Sequence, residues 1–430
     1  MPSLSKSRLI IIGAIIFVVL FFILLFTGIV PGLRTDRAPA LQLTIWGVFD
    51  SEETIKGLAS LVGSQYEITY RQFPIQTYET DLINALAGGR GPDIFMIHNT
   101  WLPKHFDKLS PINETQVSIT DFRNAFPTVV EQNFAPDGFI YASPLYLDTL
   151  ALIYNRDILD TAGVALPPTT WTELQNVIPG LRTIDSSGKL IRAAAAIGGS
   201  ASSVNRATDL LSALFLQAGV TMVSSDFSRA EFSNEGGPLV EFYTKFANPG
   251  NSFYTWNDGF ANSIDGFAEE KVAMIFNYGH QIENIKAKNP FLNIGIAPLP
   301  QFEGSSSKVD YANYWGLAVS NAFWNPSGAW SFILSATANP QIMTAYTEST
   351  GRLPALRSLI AQKLSDPQLA VFASAALSAR SWPQIDNTEV EKAFSKMTTD
   401  ITGGKSTISK ALQEAENTIS ALMAQKRASF

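Results

Sequence analysis

There is no cysteine among the 430 residues. That excludes structural disulfides, thiolate metal sites, a cysteine nucleophile and a lipid-modified cysteine behind a signal peptide. Histidine is scarce as well. His98, His105 and His280 show neither HxxxH nor HExxH spacing, so a metal site would rest on carboxylates alone. The three are read as structural, and no metal or cofactor is expected. Runs of Lys or Arg are missing too. Thirty-one basic against 38 acidic residues leave a net charge of −7, without the basic stripe that nucleic-acid binding requires. Catalytic spacings are also absent: there is no GxSxG elbow and no GxGxxG after a strand. Carboxylate pairs for glycoside cleavage meet in space rather than in sequence, and with 38 acidic residues some pair can always be nominated. No catalytic residue is therefore assigned.

What the sequence does have begins at its N-terminus. Leu9 to Val30 is an uncharged, mostly apolar run of 22 residues preceded by Lys6 and Arg8. About 20 apolar residues cross a bilayer, whereas a signal-peptide core has about 7–15. The run reads as an uncleaved anchor rather than a removed signal, although Ala38-Pro39-Ala40 resembles a cleavage site. The flanking positive charge keeps residues 1–8 cytoplasmic and exports the rest, giving a single-pass protein of the cell membrane with an extracytoplasmic C-terminal domain. Subtracting the +2 of Lys6 and Arg8 leaves −9 for the remainder. One such helix makes no channel by itself.

Residues 31–40 read as a linker. After them come a strand (LQLTIWG), a helix (SEETIKGLASLV), a strand (YEITYRQF), a helix (IQTYETDLINALAGG) and a strand (DIFMIH). That alternation predicts a parallel sheet with helices on its faces. The glycines of "GGRGPD" follow a helix and precede a strand, the reverse of a phosphate-binding loop, so Gly88 and Gly89 read as a helix stop. "ITGGKSTI" is a second decoy, because Walker A spacing needs glycine at position 399, which is Thr. In an open α/β sheet the functional edge lies beyond the carboxyl ends of the strands. That rule brings forward Trp46 on the first strand and Asn99 and Trp101 after the third. Further along, "FAPDGFIYASPLY" suggests a hairpin turning at Asp137-Gly138. "TLALIYN", "KVAMIFNYGHQI", "NIGIAPLP" and "NYWGLAVS" suggest further strands, and "PPTTWTELQNVI", "NRATDLLSALFLQA" and "SGAWSFILSATA" suggest helices.

Five of these pieces together resemble a known family. "GGRGPDIFMIHNTWLP", "GFIYASPLYLDTLALIYNRDILDTAGVALPPTTWTEL", "FAEEKVAMIFNYGHQI", "IGIAPLP" and "STGRLPALRS" occur in the order found in family 1 extracellular solute-binding proteins of ABC importers, the maltose- and oligosaccharide-binding group. The resemblance runs over about residues 41–425. It implies an α/β, two-lobed type II periplasmic-binding-protein fold, here behind an N-terminal transmembrane helix. It also implies a monomer that closes on a small-molecule ligand, a sugar or oligosaccharide, and hands it to ABC permease subunits. On that pattern lobe one comprises 41–145 plus 281–337 and lobe two 146–280 plus 338–425. The crossings are then expected near Pro144–Leu150, Asn277–Gln281 and Ala338–Tyr346.

A sugar shows C–H groups on its ring face and hydroxyls on its edge, so its site needs aromatic platforms and polar side chains. At the expected strand ends the sequence offers Trp46, Asn99, Trp101, Tyr146, Asp148, Trp256, Asn257, Asp258, Asn277, Tyr278, Tyr314 and Trp315. Arg352 lies in a segment that borders the cleft in the family. One departure stands out. Maltose-binding members have an aromatic platform at the start of a late helix, where this chain has polar Asn387, Thr388 and Glu389. Two other roles are considered for the fold, a sensor or adhesion domain and an anchored glycoside hydrolase.

Overall fold

Val272–Asn277 is buried at every position because it runs through the middle of a sheet covered on both faces. At its centre the side chains alternate: Met274 and Phe276 enter one apolar cluster and Ile275 between them enters the other. The computed structural model describes residues 39–427 together with Ile16, Val18 and Val19. The chain divides into two units, Met1–Leu41 and Gln42–Phe430. The expected anchor, 9–30, lies outside the described residues apart from Ile16, Val18 and Val19, which are helical and exposed. No helix among the described residues is long and apolar enough to cross a membrane.

Three sheets organise the larger unit. The strands are β1 (Leu41–Gly47), β2 (Tyr66–Gln72), β3 (Ile94–His98), β4 (Ser143–Pro144), β5 (Asp148–Thr149), β6 (Ala151–Asn155) and β7 (Thr183–Ile184). They continue as β8 (Leu190–Ala195), β9 (Val272–Asn277), β10 (Ile294–Ala297), β11 (Asp310–Asn313), β12 (Trp315–Val319) and β13 (Ala379–Arg380). The first sheet has the order β2-β1-β3-β12-β4, the second β10-β6-β9-β8-β7, and a small third one β13-β11-β5. In the first, β1 and β3 are parallel and β12 returns antiparallel on β3, with Trp315 opposite His98. The carboxyl ends of β1 and β3 therefore share one rim with the start of β12.

Local chemistry agrees with these elements. Gly88 closes helix Ile75–Ala87 and Gly89 follows with φ 64°, the left-handed stop expected of a glycine there. Helix Trp171–Leu181 opens with a reciprocal cap between Thr170 and Glu173. The segment around Asp137-Gly138 is not a hairpin. Thr128–Phe134 is helical, so Asp137-Gly138 turns a helix into β4, and β4 pairs with β12 instead.

The division into halves differs from expectation in two places. Residues 281–297, expected in lobe one, carry β10, which extends the second sheet on β6. Helix Pro340–Thr350, expected in lobe two, packs on helix Glu52–Val62 beside the first sheet. Two crossings move accordingly. Asn277 leads straight into helix Gln281–Lys288, which packs on helix Ser263–Ala268 of the same half, so the chain does not cross there. The chain passes from β10 through β11 to β12, and later from β13 to helix Asn387–Thr402, which packs on helix Ala207–Gln217. With β4-β5-β6 these make three crossings, and β5, β11 and β13 pair to form the third sheet between the two large ones.

Gly316 tests the packing of the first sheet. A Cβ there would sit 2.6 Å from Phe134 Cε2 and 3.1 Å from Ala142 Cβ, in a strand paired on both sides. Gly316→Ala is expected to lower unfolding free energy by about 1–3 kcal/mol, measured by chemical denaturation. Unchanged stability would contradict this packing.

Candidate functional site

The shared rim of the first sheet is an aromatic wall. Trp315 meets Trp101 edge to face at 4.8 Å, His98 at 5.3 Å and Phe49 at 5.6 Å. Tyr78 lies behind them, near-parallel to Trp101 at 6.3 Å, and donates its hydroxyl to the Met96 carbonyl at 2.8 Å. Most of this wall is buried. Phe49 is the open member, 41% exposed. His98 is enclosed, and its Nδ1 lies 2.8 Å from Thr100 Oγ1. Burial, helped by the Arg206 charge and opposed by a bond to Asn313, pushes its pKa down to about 4. The imidazole is thus neutral at ordinary pH and acts as one more flat, uncharged surface.

An ion pair fixes the lip above this wall. Asp50, three residues beyond β1, is buried and accepts from Arg352 Nη1 at 3.0 Å and from the Tyr346 hydroxyl at 2.9 Å. Burial raises the Asp50 pKa despite Arg352 and Tyr346. The Arg352 guanidinium covers the Tyr146 ring at 4.6 Å and faces Phe49 at 5.8 Å. Arg352 and Tyr146 therefore hold the lip in place, each already engaged by protein.

The second sheet presents charge. Beyond β9, the Tyr278 hydroxyl donates to Asp209 Oδ2 at 2.8 Å, and its ring lies parallel to His280 at 5.8 Å. Asp148 Oδ2 lies 2.8 Å from His280 Nδ1, and its other oxygen accepts from the Thr149 N–H at 3.0 Å. Arg206 lies over the Tyr278 ring at 5.3 Å, with Nη1 3.8 Å from Asp209. Burial raises the Asp209 pKa against the pull of Arg206 and Tyr278. Partial desolvation likewise raises Glu391, a residue still open to solvent, with the Asp209 charge adding to it.

The thirteen residues nominated from sequence fall into four groups. Trp101, Trp315, Tyr146, Asp148, Tyr278 and Arg352 lie on or just behind the two facing rims. Trp46 is on the first rim but turned into the sheet's packing, against Phe73 at 4.4 Å and under Arg71 at 5.4 Å. Asn99, Asn277 and Tyr314 are buried with their polar groups bonded to protein. Asn99 donates to Asn133 and Ser381, Asn277 donates to Asn205 at 2.9 Å, and the Tyr314 hydroxyl lies 2.8 Å from Asn133 Oδ1.

The remaining three correct an expectation. Trp256 is fully buried, packs on Phe260 at 5.0 Å and donates Nε1 to Ser203 at 2.9 Å. It supports the loop after β8 from beneath rather than facing the cleft. Asp258 ties the same loop, accepting from the Ser200 N–H at 2.9 Å and the Ser203 hydroxyl at 2.7 Å. Asn257 donates to the Tyr254 hydroxyl and caps the Gly259 N–H. A loop tryptophan needs a partner surface, and here that surface is the protein's own.

A profile described as bacterial extracellular solute-binding protein matches residues 62–371. The chain belongs to that family. Among its relatives, the maltodextrin-binding protein MdxE of Bacillus subtilis is 25% identical over 395 residues, 86% of this chain and 88% of that protein. A maltotriose-binding protein of Pyrococcus abyssi is 24% identical over 312 residues, 70% of this chain; the match spans 62% of that relative's length. The sugar-binding protein MalE of Xanthomonas citri superposes with a TM-score of 0.75 at 22% identity, covering 90% of this chain and 99% of that one. At that identity the likeness establishes the two-lobed α/β periplasmic-binding-protein fold.

In this family member six contributors escaped the sequence reading: Phe49, Asp50, Arg206, Asp209, Tyr346 and Glu391. Phe49 and Asp50 stand two and three residues past β1, so the strand-end rule would have reached them had it been carried beyond Gly47. Nothing in the sequence marks Arg206, whose backbone is left-handed. No group of His, Asp or Glu among the described residues has the arrangement of a metal site. A depression of about 300 Å3 lined by Gln217, Leu239 and Phe302 lies at the opposite end of helix Ala207–Gln217 from Arg206. It lies apart from the two rims.

The depressed pKa of His98 sets a sign for pH dependence. Its folded pKa of about 4 lies below the ordinary 6.5, so its contribution is complete above 6.5 and lost as pH falls toward 4. Across that window stability should fall by on the order of 3 kcal/mol from this group, and His98→Gln should remove that part of the slope. His105, also lowered by burial, remains in both proteins and cancels in the difference. Parallel pH profiles of thermal unfolding would contradict a neutral, enclosed His98.

Proposed function

We propose that the protein captures a carbohydrate-like ligand between the rims of the two large sheets and delivers it to an ABC importer. What supports the reading is the nearness of unlike surfaces: an aromatic wall around Phe49 and Trp315 on one half, and on the other a charged, hydrogen-bonding rim around Arg206 and Tyr278, close enough that the Arg206 charge acts on His98 of the wall. An aromatic face suits the C–H surface of a sugar ring, and polar groups suit its edge. The relatives named for maltodextrin and maltotriose support the same class.

In this reading the protein binds and releases without turnover, as a monomer. The two halves, each built on one large sheet, act as lobes about the β13-β11-β5 hinge, and a ligand touching both favours the closed arrangement. Residues 9–30 anchor the chain in the membrane, with the lobes outside and permease subunits as partners. The polar Asn387 and Glu389, where maltose-binding members have an aromatic, leave malto-oligosaccharide as one candidate among several glycans.

Thermal unfolding against mono- and oligosaccharides, polyols, amino acids and glycerol phosphates tests this. A ligand at ~100 times its dissociation constant adds roughly 2.7 kcal/mol, so one sugar class should raise Tm selectively. Phe49→Ala, at an open position, should weaken that binding by between about twofold and tenfold. A response to amino acids or phosphates with none to carbohydrates would overturn the reading.

A further inference from the structure

Arg206 combines three features that packing alone does not account for. Its backbone is left-handed, at φ 67° and ψ 24°, immediately before helix Ala207–Gln217. A glycine would adopt that conformation without strain, so what the position supplies is the guanidinium and not the backbone. The guanidinium makes no hydrogen bond among the described residues. Its Nε is buried without a partner, and its contacts are the Tyr278 face at 5.3 Å and a long approach to Asp209 at 3.8 Å. Yet 33% of the side chain is open. An arginine set over an aromatic ring, its buried Nε unpartnered and its terminal N–H groups partly open, is preorganised for acceptors brought from outside.

Glu391 complements it. It lies in helix Asn387–Thr402, is exposed, and also makes no hydrogen bond among the described residues. Asp209, Glu391 and Asp148 each act on Arg206 with negative charge, which together with Tyr278 raises its pKa against burial. Three carboxylates thus act on one guanidinium, Asp209 the nearest at 3.8 Å, with His280 engaged by Asp148. A carboxylate on the ligand would add a fourth acidic group to this set, whereas a hydroxyl can accept from Arg206 and donate to Glu391 without adding charge.

Building on the carbohydrate reading, we propose that Arg206 and Glu391 form the discriminating subsite of the second rim. Arg206 gives its N–H groups to the oxygens of an uncharged sugar, Glu391 accepts from a hydroxyl of the same ligand, and uronic acids are rejected. The ligand class is therefore a neutral glycan.

The test uses the full-length chain with a panel of neutral oligosaccharides and oligouronates, read by thermal shift and then by titration calorimetry. Arg206→Lys keeps the charge that faces Asp209 but loses the planar fork. It should leave the unliganded Tm within about 1 °C of the parent and weaken neutral-sugar binding roughly tenfold to hundredfold. Glu391→Gln should weaken it as well and relax the exclusion of oligouronates. Undiminished binding in Arg206→Lys, or tighter binding of an oligouronate than of any neutral sugar by the parent, overturns this inference while leaving the carbohydrate reading intact. A panel that gives no response with the parent protein overturns both.

Discussion

The side-chain amide of Asn99 ties together the parts on which the cleft depends. From the end of β3 it donates to Asn133 at 3.1 Å and to Ser381 at 3.0 Å, and it accepts from the Tyr314 N–H at 3.3 Å. Ser381 stands just past β13 and Tyr314 between β11 and β12, so one buried residue joins the first rim to two of the three crossings. Every partner is itself bonded, which is the condition under which a buried polar network specifies one arrangement rather than weakening the core. His98, Trp101 and Trp315 are within two residues of this network, and their positions follow from it.

From that fixed edge the two rims differ in kind. The first is apolar and flat, and burial keeps even its histidine neutral. The second carries Arg206, Asp209 and Glu391 in one electrostatic set, which Asp148 of the hinge sheet joins. On the proposed reading, a molecule with a hydrophobic face and a polar edge satisfies both at once, beside the bond that already joins Trp101 to Asn387 across the halves. Differential contact of that sort is what allows a ligand to shift a hinge equilibrium. The Asp50–Arg352 pair serves the architecture: it anchors the lip so that Phe49 is presented on a firm base.

Much of the fold could be read from the sequence because its central strands are long apolar runs with unmistakable ends. DIFMIH, VAMIFN and WGLAV are all strands, and the glycines after Ala87 stop a helix. Trp101, offered by the strand-end rule, and Trp315, offered near NYWG, meet in the aromatic wall. It was less informative about Asn99, Asn277 and Tyr314, because a polar group at a strand end serves equally well to fasten the hinge, and only three-dimensional partners distinguish the two uses. Trp256 was misleading for a related reason: in a polar loop it looked like a ligand platform, but Ser203 and Phe260 enclose it. The hairpin at Asp137-Gly138 failed because the residues before it are helical. The crossings after β9 and near Ala338 failed because β10 and helix Pro340–Thr350 return to the half they came from, a matter of long-range pairing that local pattern does not encode. Arg206 was invisible because its distinguishing property is a backbone angle.

The central claim is that ligand draws the two sheets together about the three crossings. Small-angle X-ray scattering of the full-length chain, with and without a saturating sugar identified by its thermal shift, addresses it most directly. The account predicts a smaller radius of gyration in the liganded protein, with the change lost when Arg206 is replaced by alanine at the same sugar concentration. An unchanged radius of gyration at demonstrated saturation would contradict it, and would mean that the rims hold their ligand without closing.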